Sequence, residues 1–377
     1  MKHMPSPKSL FELSSHPVFF IDSNADLLPH LEVLPALYGF DTEFVSGKRY
    51  VTSLGLVQIA LESTILLIDP TKVDLTLLRP LLDSPAICIA HSPEADLTLI
   101  EEAAGTRPAH LFDTQIAARF LGHSTPSLAS LLDEYLNIQL DKSERMTNWL
   151  ARPLPDKALT YAALDVAHLA SLYESLVESL TTLNRLDFAK EESERIRLHS
   201  PAPRVDNLVW HRMKNVRRLP LPVKRRIASL AAMRESIARH RNRLVNHVLT
   251  DDAIIALALA DPKNAEAVRA CLSSRRVKPD LAQAIIKAVA TASAPDFELI
   301  PPPPEPSDRG IEDALALATA SIIALSEELS IDRTLLATRA DLINFISNQP
   351  SRIGQGWRAT LVAPHLKKQA SQPSLFS

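Results

Sequence analysis

A chain of 377 residues, 46% of them hydrophobic, is long enough for about two or three domains and a sizeable core. Its only cysteines, Cys88 and Cys271, lie far apart with no Cys or His nearby at ligand spacing, which excludes a disulfide framework or a zinc site built on them and fits a reducing compartment. The net charge of −3 makes no case for a polyanionic partner by itself, so the distribution of charge along the chain has to be read instead.

The first residues, MKHMPSPKSLFELSSHP, lack the apolar core of a signal peptide, and no run of about 18 apolar residues follows. A cytoplasmic protein without a membrane partner is expected. Residues 18–22, VFFID, read as a strand, and LLPHLEVLPAL after them as a helix. Three further strands are expected in YGFDTEF, SLGLVQIAL and TILLIDP, joined by short connections of hairpin type. LTLLRPLL reads as a helix, AICIAH (86–91) as a buried strand, and EADLTLIEEAAG as a helix closed by Gly105. Beyond HLFDT the chain reads as helical. A strand meander followed by alternating strands and helices predicts an α/β domain with a mixed sheet flanked by helices.

Near residue 200 the character changes to an all-helical pattern over 205–292. PPPPEPSD (301–308) predicts an extended polyproline spacer, and 309–367 form another helical block ahead of a disordered tail, 368–377. Between Arg204 and His247 stand twelve Lys/Arg against Asp206 and Glu235, a local charge of +10 that leaves −13 for the rest. Such a block is the footprint of a polyanion-binding module, and it is also what a solvated helical surface looks like.

Asp41 and Glu43 are two apart in a predicted strand, so both carboxylates project from one face. In an apolar setting they would repel each other unless a cation bridged them. Glu94 and Asp96 fall at a strand–helix junction, where acids are also favoured as helix caps without any catalytic role. Tyr161 and Asp165 are one helical turn apart among apolar neighbours. No Gly-x-Gly-x-x-Gly occurs among the eight glycines, which excludes a dinucleotide-binding dehydrogenase.

Taken in order, Asp-x-Glu on a strand, an acid at a strand–helix junction and Tyr-x-x-x-Asp on a later helix resemble the three motifs of the DEDD exonucleases, the tyrosine marking the DEDDy branch. DTEFVSGKRYVTSLGLVQIA, HSPEADL, LFDTQIAARFLG and LDKSERMTNWLARPL followed by YAALDVAHL resemble the ribonuclease D family from about residue 18 to about 185. Residues 205–292, with Trp210, Arg225 and Arg226, resemble an HRDC domain, and 309–367 would correspond to a second module of that type. The sequence departs from the family at Asn148, where an acid is common, but the acids of the three motifs and Tyr161 are all present.

The resemblance implies a ribonuclease H-like exonuclease domain over 1–200, an HRDC-like domain over 201–292, a linker over 293–308 and a second HRDC-like domain over 309–367. It implies a 3′→5′ exoribonuclease in which Asp41, Glu43, Asp96 and Asp165 hold two divalent ions, Mg²⁺ or Mn²⁺, and Tyr161 positions the attacking water. The products would be nucleoside 5′-monophosphates and the substrates RNAs with a free 3′ end, transfer-RNA precursors among them, handled by a monomer. His91, Lys142, Arg145, Arg217, Arg218, Arg225 and Arg226 are the candidate RNA contacts, with a structural role for His91 and solvent-facing charge for Lys142 and Arg145 as the alternatives. Two rival readings share the fold: a DEDDy exonuclease acting on DNA, and an RNA-binding protein without catalysis.

Overall fold

A computed structural model describes residues 10–13, 16–46, 50–140, 147–199, 206–272, 277–294, 297–300 and 309–370. Two compact units emerge, one of residues 1–44, 54–200 and 306–377, the other of 45–53 and 201–305. Among the described residues no single helix is long and apolar enough to cross a membrane.

The first unit is built on a seven-stranded sheet: β1 (Phe11–Leu13), β2 (His16–Ile21), β3 (Leu37–Val45), β4 (Ser53–Leu61), β5 (Thr64–Ile68), β6 (Ile87–Ala90) and β7 (His110–Asp113), in the order β1-β2-β5-β4-β3-β6-β7. The sheet is mixed, as expected: β2 runs parallel to β5, β4 antiparallel to β5, and β3, β6 and β7 are mutually parallel neighbours. All five residues of β5 are buried, which is why TILLI reads as an unbroken apolar run rather than an alternation. Helices α1 (Glu94–Ala104), α2 (Thr114–Arg119), α3 (Leu128–Leu136), α4 (Asp156–Ala167), α5 (Leu169–Thr182) and α6 (Leu186–Leu198) follow. Gly105 closes α1 at φ +78°, the left-handed geometry that a glycine C-cap supplies without strain.

Two expectations fail locally. LLPHLEVLPAL (27–37) is not a helix: a short α turn at Asn24–Leu27 ends at its first residue, and only a 3₁₀ turn at Leu28–Leu31 follows within it. Pro29 and Pro35 leave no uninterrupted run of donors, and Val33 is 83% exposed instead of lining a buried stripe. LTLLRPLL divides into a 3₁₀ turn, Leu75–Leu78, and a single α turn, Arg79–Leu82.

The second unit contains α7 (Leu221–His240), α8 (Asp251–Ala260), α9 (Ala265–Cys271) and α10 (Pro279–Ala292) around Trp210, Ile227, Leu230, Leu257 and Ile285, all fully buried. Within it Tyr50 donates to the buried carboxylate of Glu235 at 2.7 Å. The proline-rich spacer at 301–308 lies outside the described residues.

The chain ends in α11 (Arg309–Leu329), α12 (Arg339–Ile346) and α13 (Gly356–Ala370). These helices, expected as a second HRDC-like domain over 309–367, fall within the first compact unit. Leu325, Leu336, Trp357 and Val362 belong to the same hydrophobic cluster as the residues of the sheet. The physical reason is a shared interior: the Trp357 ring stacks on Phe188 and meets Phe120 edge-on, at centroid distances of 5.7 and 5.0 Å. Arg358, 3% exposed, donates to the equally buried Glu192 at 2.7 Å, and Arg119 bonds Asp332 at 2.8 Å. Residues 368–370, expected in the tail, continue α13.

Candidate active site

β3 and β6 run parallel with Gly39 opposite Ile89, so both strands deliver their C-terminal ends to the same edge of the sheet. That edge is where an open α/β sheet places its ligand site. Asp41 and Glu43 follow on one face of β3, both half-buried. From β6 the chain passes through Ser92, whose φ of +57° is unusual for a residue with a Cβ. The Asp113 carboxylate at the end of β7 holds the turn, accepting from the Ser92 amide at 3.0 Å and from Gln115 at 2.9 Å as the cap of α2. Asp113 thereby holds the turn that leads into α1. Helix α1 begins two residues later and puts Asp96 in its first turn, 7% exposed, where the Thr42 hydroxyl donates to its carboxylate.

Helix α4 supplies Tyr161 and Asp165 from one face. It comes close to β3 because residue 39 has no side chain: a Cβ there would lie 2.9 Å from the Val166 carbonyl oxygen and 3.3 Å from Leu169 Cδ1. With the helix so close, carboxylate oxygens of Asp41, Glu43 and Asp165 all fall within 4.8 Å of one another. Asp96 stands outside that trio, yet its charge acts on two of its members. Burial, then the charges of Asp96, Asp165 and Glu43, push the Asp41 carboxyl well above the usual range. Burial, then Asp165 and Asp96, raise Glu43 to about 8. Burial also raises Asp96, although the Thr42 hydroxyl opposes it. Three carboxylates within 4.8 Å of one another, with Asp96 acting on two of them through its charge, form an acidic cluster of hard oxygen donors whose mutual repulsion a divalent cation would relieve.

The candidate RNA contacts divide. His91 is spent on the fold: its ring nitrogens lie 2.9 Å from the Thr114 hydroxyl and 3.1 Å from the Pro126 carbonyl oxygen. Burial lowers its pKa to about 4, so at neutral pH it is an uncharged strut and not a phosphate ligand. Lys142 and Arg145 lie outside the described residues. Arg217 and Arg218 are exposed on the turn ahead of α7, beside exposed Arg212 and Lys214. Arg225 and Arg226 are half-buried and engaged within the helical unit. The former donates to Ala294 O at 2.5 Å and lies over the Phe297 ring; the latter donates to Ala258 O at 2.6 Å and pairs with Asp261. The sequence offered no sign of the parts played by Gly39 and Thr42.

Residues 21–181 match the 3′-5′ exonuclease family, and residues 223–289 match the HRDC domain. Ribonuclease D of Desulfotalea psychrophila is 33% identical over 82% of this chain and 84% of its own length. Ribonuclease D of Xanthomonas oryzae is 32% identical over 87% of this chain and 92% of its own. The crystal structure of Escherichia coli RNase D, an exoribonuclease involved in structured RNA processing, superposes with a TM-score of 0.83 at 26% identity, covering 93% of this chain and 97% of that one.

Proposed function

The chain belongs to the ribonuclease D family, and from that premise we propose that it is a metal-dependent 3′→5′ exoribonuclease that trims structured RNAs, transfer-RNA precursors among them, to release nucleoside 5′-monophosphates. The observation that carries this reading is the meeting of Asp41, Glu43 and Asp165 within 4.8 Å, with Asp96 adding its charge alongside. The four carboxylates would hold two divalent ions. Such ions, when bound, lower the pKa of an attacking water and stabilise the leaving 3′-oxygen. Tyr161, half-exposed and one turn from Asp165, orients that water through its hydroxyl. A phenol binds water through a hydroxyl that both donates and accepts, which suits orientation better than proton abstraction.

The exposed cations Arg212, Lys214, Arg217 and Arg218 offer the RNA backbone a polyanion-binding face on the helical unit. Cys88 and Cys271 are both free, which supports assignment of the enzyme to the reducing cytoplasm.

A 5′-labelled RNA hairpin with a short 3′ tail, incubated with Mg²⁺, Mn²⁺ or EDTA beside the same tail in DNA, tests this directly. The expected result is a metal-dependent ladder shortening from the 3′ end of the RNA. Absence of cleavage in either metal with RNA binding intact would establish a binding protein instead, and equal digestion of the DNA tail would remove the ribonuclease assignment.

A further inference from the structure

Between the three acidic motifs lies a turn that none of them includes. Arg152 reaches from it into the sheet and uses all five of its N–H groups. Two go to the Asp69 carboxylate (2.6 and 2.7 Å), one to the Gly55 carbonyl (2.7 Å), and two to the carbonyls of Trp149 and Ala151 in its own turn (2.9 and 2.8 Å). Asp69, at the end of β5, is fully buried. Burial would raise its carboxyl, but the Arg152 and Thr71 hydrogen bonds hold it at about 2.

The clamp fixes the segment 149–152 against β4, and Gly55 shows how tightly. A Cβ at residue 55 would lie 2.7 Å from Trp149 Cβ and 2.8 Å from its carbonyl oxygen. Trp149, 3% exposed, fills that place, and its ring stands beside the Tyr161 ring, centroids 6.4 Å apart and planes inclined by 37°. Four residues beyond Arg152 the chain enters α4, which carries Tyr161 and Asp165. A stretch of chain outside the acidic cluster thus fixes both the ring against which Tyr161 leans and the start of its helix.

We propose that Arg152 is a positioning residue for the reaction, acting through Trp149 on Tyr161. This rests on the reading of Tyr161 as the water-orienting group and extends it to the parts that aim the hydroxyl. A lysine at 152 keeps the charge but cannot supply a planar fork of five donors, so the turn loosens and the Tyr161 ring loses its fixed neighbour.

The experiment is a cycle of steady-state measurements on the RNA hairpin substrate with the full chain. Arg152→Lys, Trp149→Leu and Tyr161→Phe are compared singly and as the doubles Arg152→Lys/Tyr161→Phe and Trp149→Leu/Tyr161→Phe. Arg152→Lys is expected to lower kcat on the order of tenfold while KM stays within about twofold, and to lower it by less than about twofold once Tyr161 is Phe. Trp149→Leu leaves the Arg152 hydrogen bonds in place and is expected to show the same loss with the same suppression; it carries the test by itself where Arg152→Lys does not fold. Equal fold-losses in both backgrounds, or full kcat in both single variants, overturn the proposal while leaving Tyr161 in its role. Wild-type turnover by Tyr161→Phe itself would remove that role, and the proposal with it.

Discussion

Replacing Glu192 by glutamine keeps the volume of the side chain and removes its charge. Glu192 is 2% exposed and Arg358 3%, so water cannot solvate the guanidinium left behind. Burial alone would raise the Glu192 carboxyl, but the hydrogen bond and charge of Arg358, followed by those of Arg195, hold it at about 2 against an ordinary 4.5. That difference corresponds to roughly 3 kcal/mol of folding free energy carried by the ionised form at neutral pH. In a unit of this size it is worth about 6–12 °C in Tm. Because the folded-state pKa is depressed, the stabilisation is fully present above about pH 4.5 and is lost as the pH falls towards 2. Urea titrations of wild type and Glu192→Gln across this range should therefore show a gap of about 3 kcal/mol at pH 7 that closes in acid. A gap below about 1 kcal/mol at pH 7, or one that stays constant down to pH 2.5, would refute the reasoning.

Asp165→Asn should reduce RNA digestion by at least about a hundredfold while the melting temperature in EDTA is unchanged or higher, since it removes a charge from a crowded acidic cluster; scanning calorimetry beside the gel assay checks both. Gly39→Ala should drive the α4 backbone off β3 and cost on the order of a hundredfold in kcat, with about 1–3 kcal/mol of stability lost in urea titration. Arg217→Ala combined with Arg218→Ala should leave stability within about 0.5 kcal/mol and lower the slope of log affinity against log salt by about 1 to 2. Arg226→Ala should do the reverse, destabilising the helical unit with little change in that slope, because its guanidinium is occupied by Ala258 and Asp261; binding isotherms at several salt concentrations tell the two apart.

Much of this architecture is legible in the amino-acid sequence. β3, β4 and β5 announce themselves by apolar runs and short connections and β6 by its apolar run alone, and Asp41, Glu43, Asp96, Tyr161 and Asp165 fall on the strand and helix positions the pattern predicts. What could not be read depends on partners distant in sequence. β1 and β7 are three and four residues long, too short for alternation to show. His91 looks the same in sequence whether it faces solvent or not, and groups 23 and 35 residues further on decide the matter. Arg217 and Arg225 belong to one basic block, yet the first is exposed and the second caps a helix end reached only through the tertiary fold. Gly39 reads as an ordinary glycine in a strand, and its purpose appears only when α4 is laid across it.

The helices at the end of the chain also bear on how it is made. Glu192 and Arg358 are 166 residues apart, which at about 5–20 residues per second is a delay of roughly 10–30 s during translation. For that interval the nascent sheet unit holds Glu192 without its Arg358 partner, paired with Arg195 alone, and an uncovered Phe120–Phe188 surface, while the whole helical unit is synthesised in between. The face is closed only when Trp357 and Arg358 leave the ribosome. A chain ending between about residue 200 and Trp357 would therefore be expected to expose that apolar face. The residues that cover the apolar face of the sheet unit are thus made last, long after the face itself.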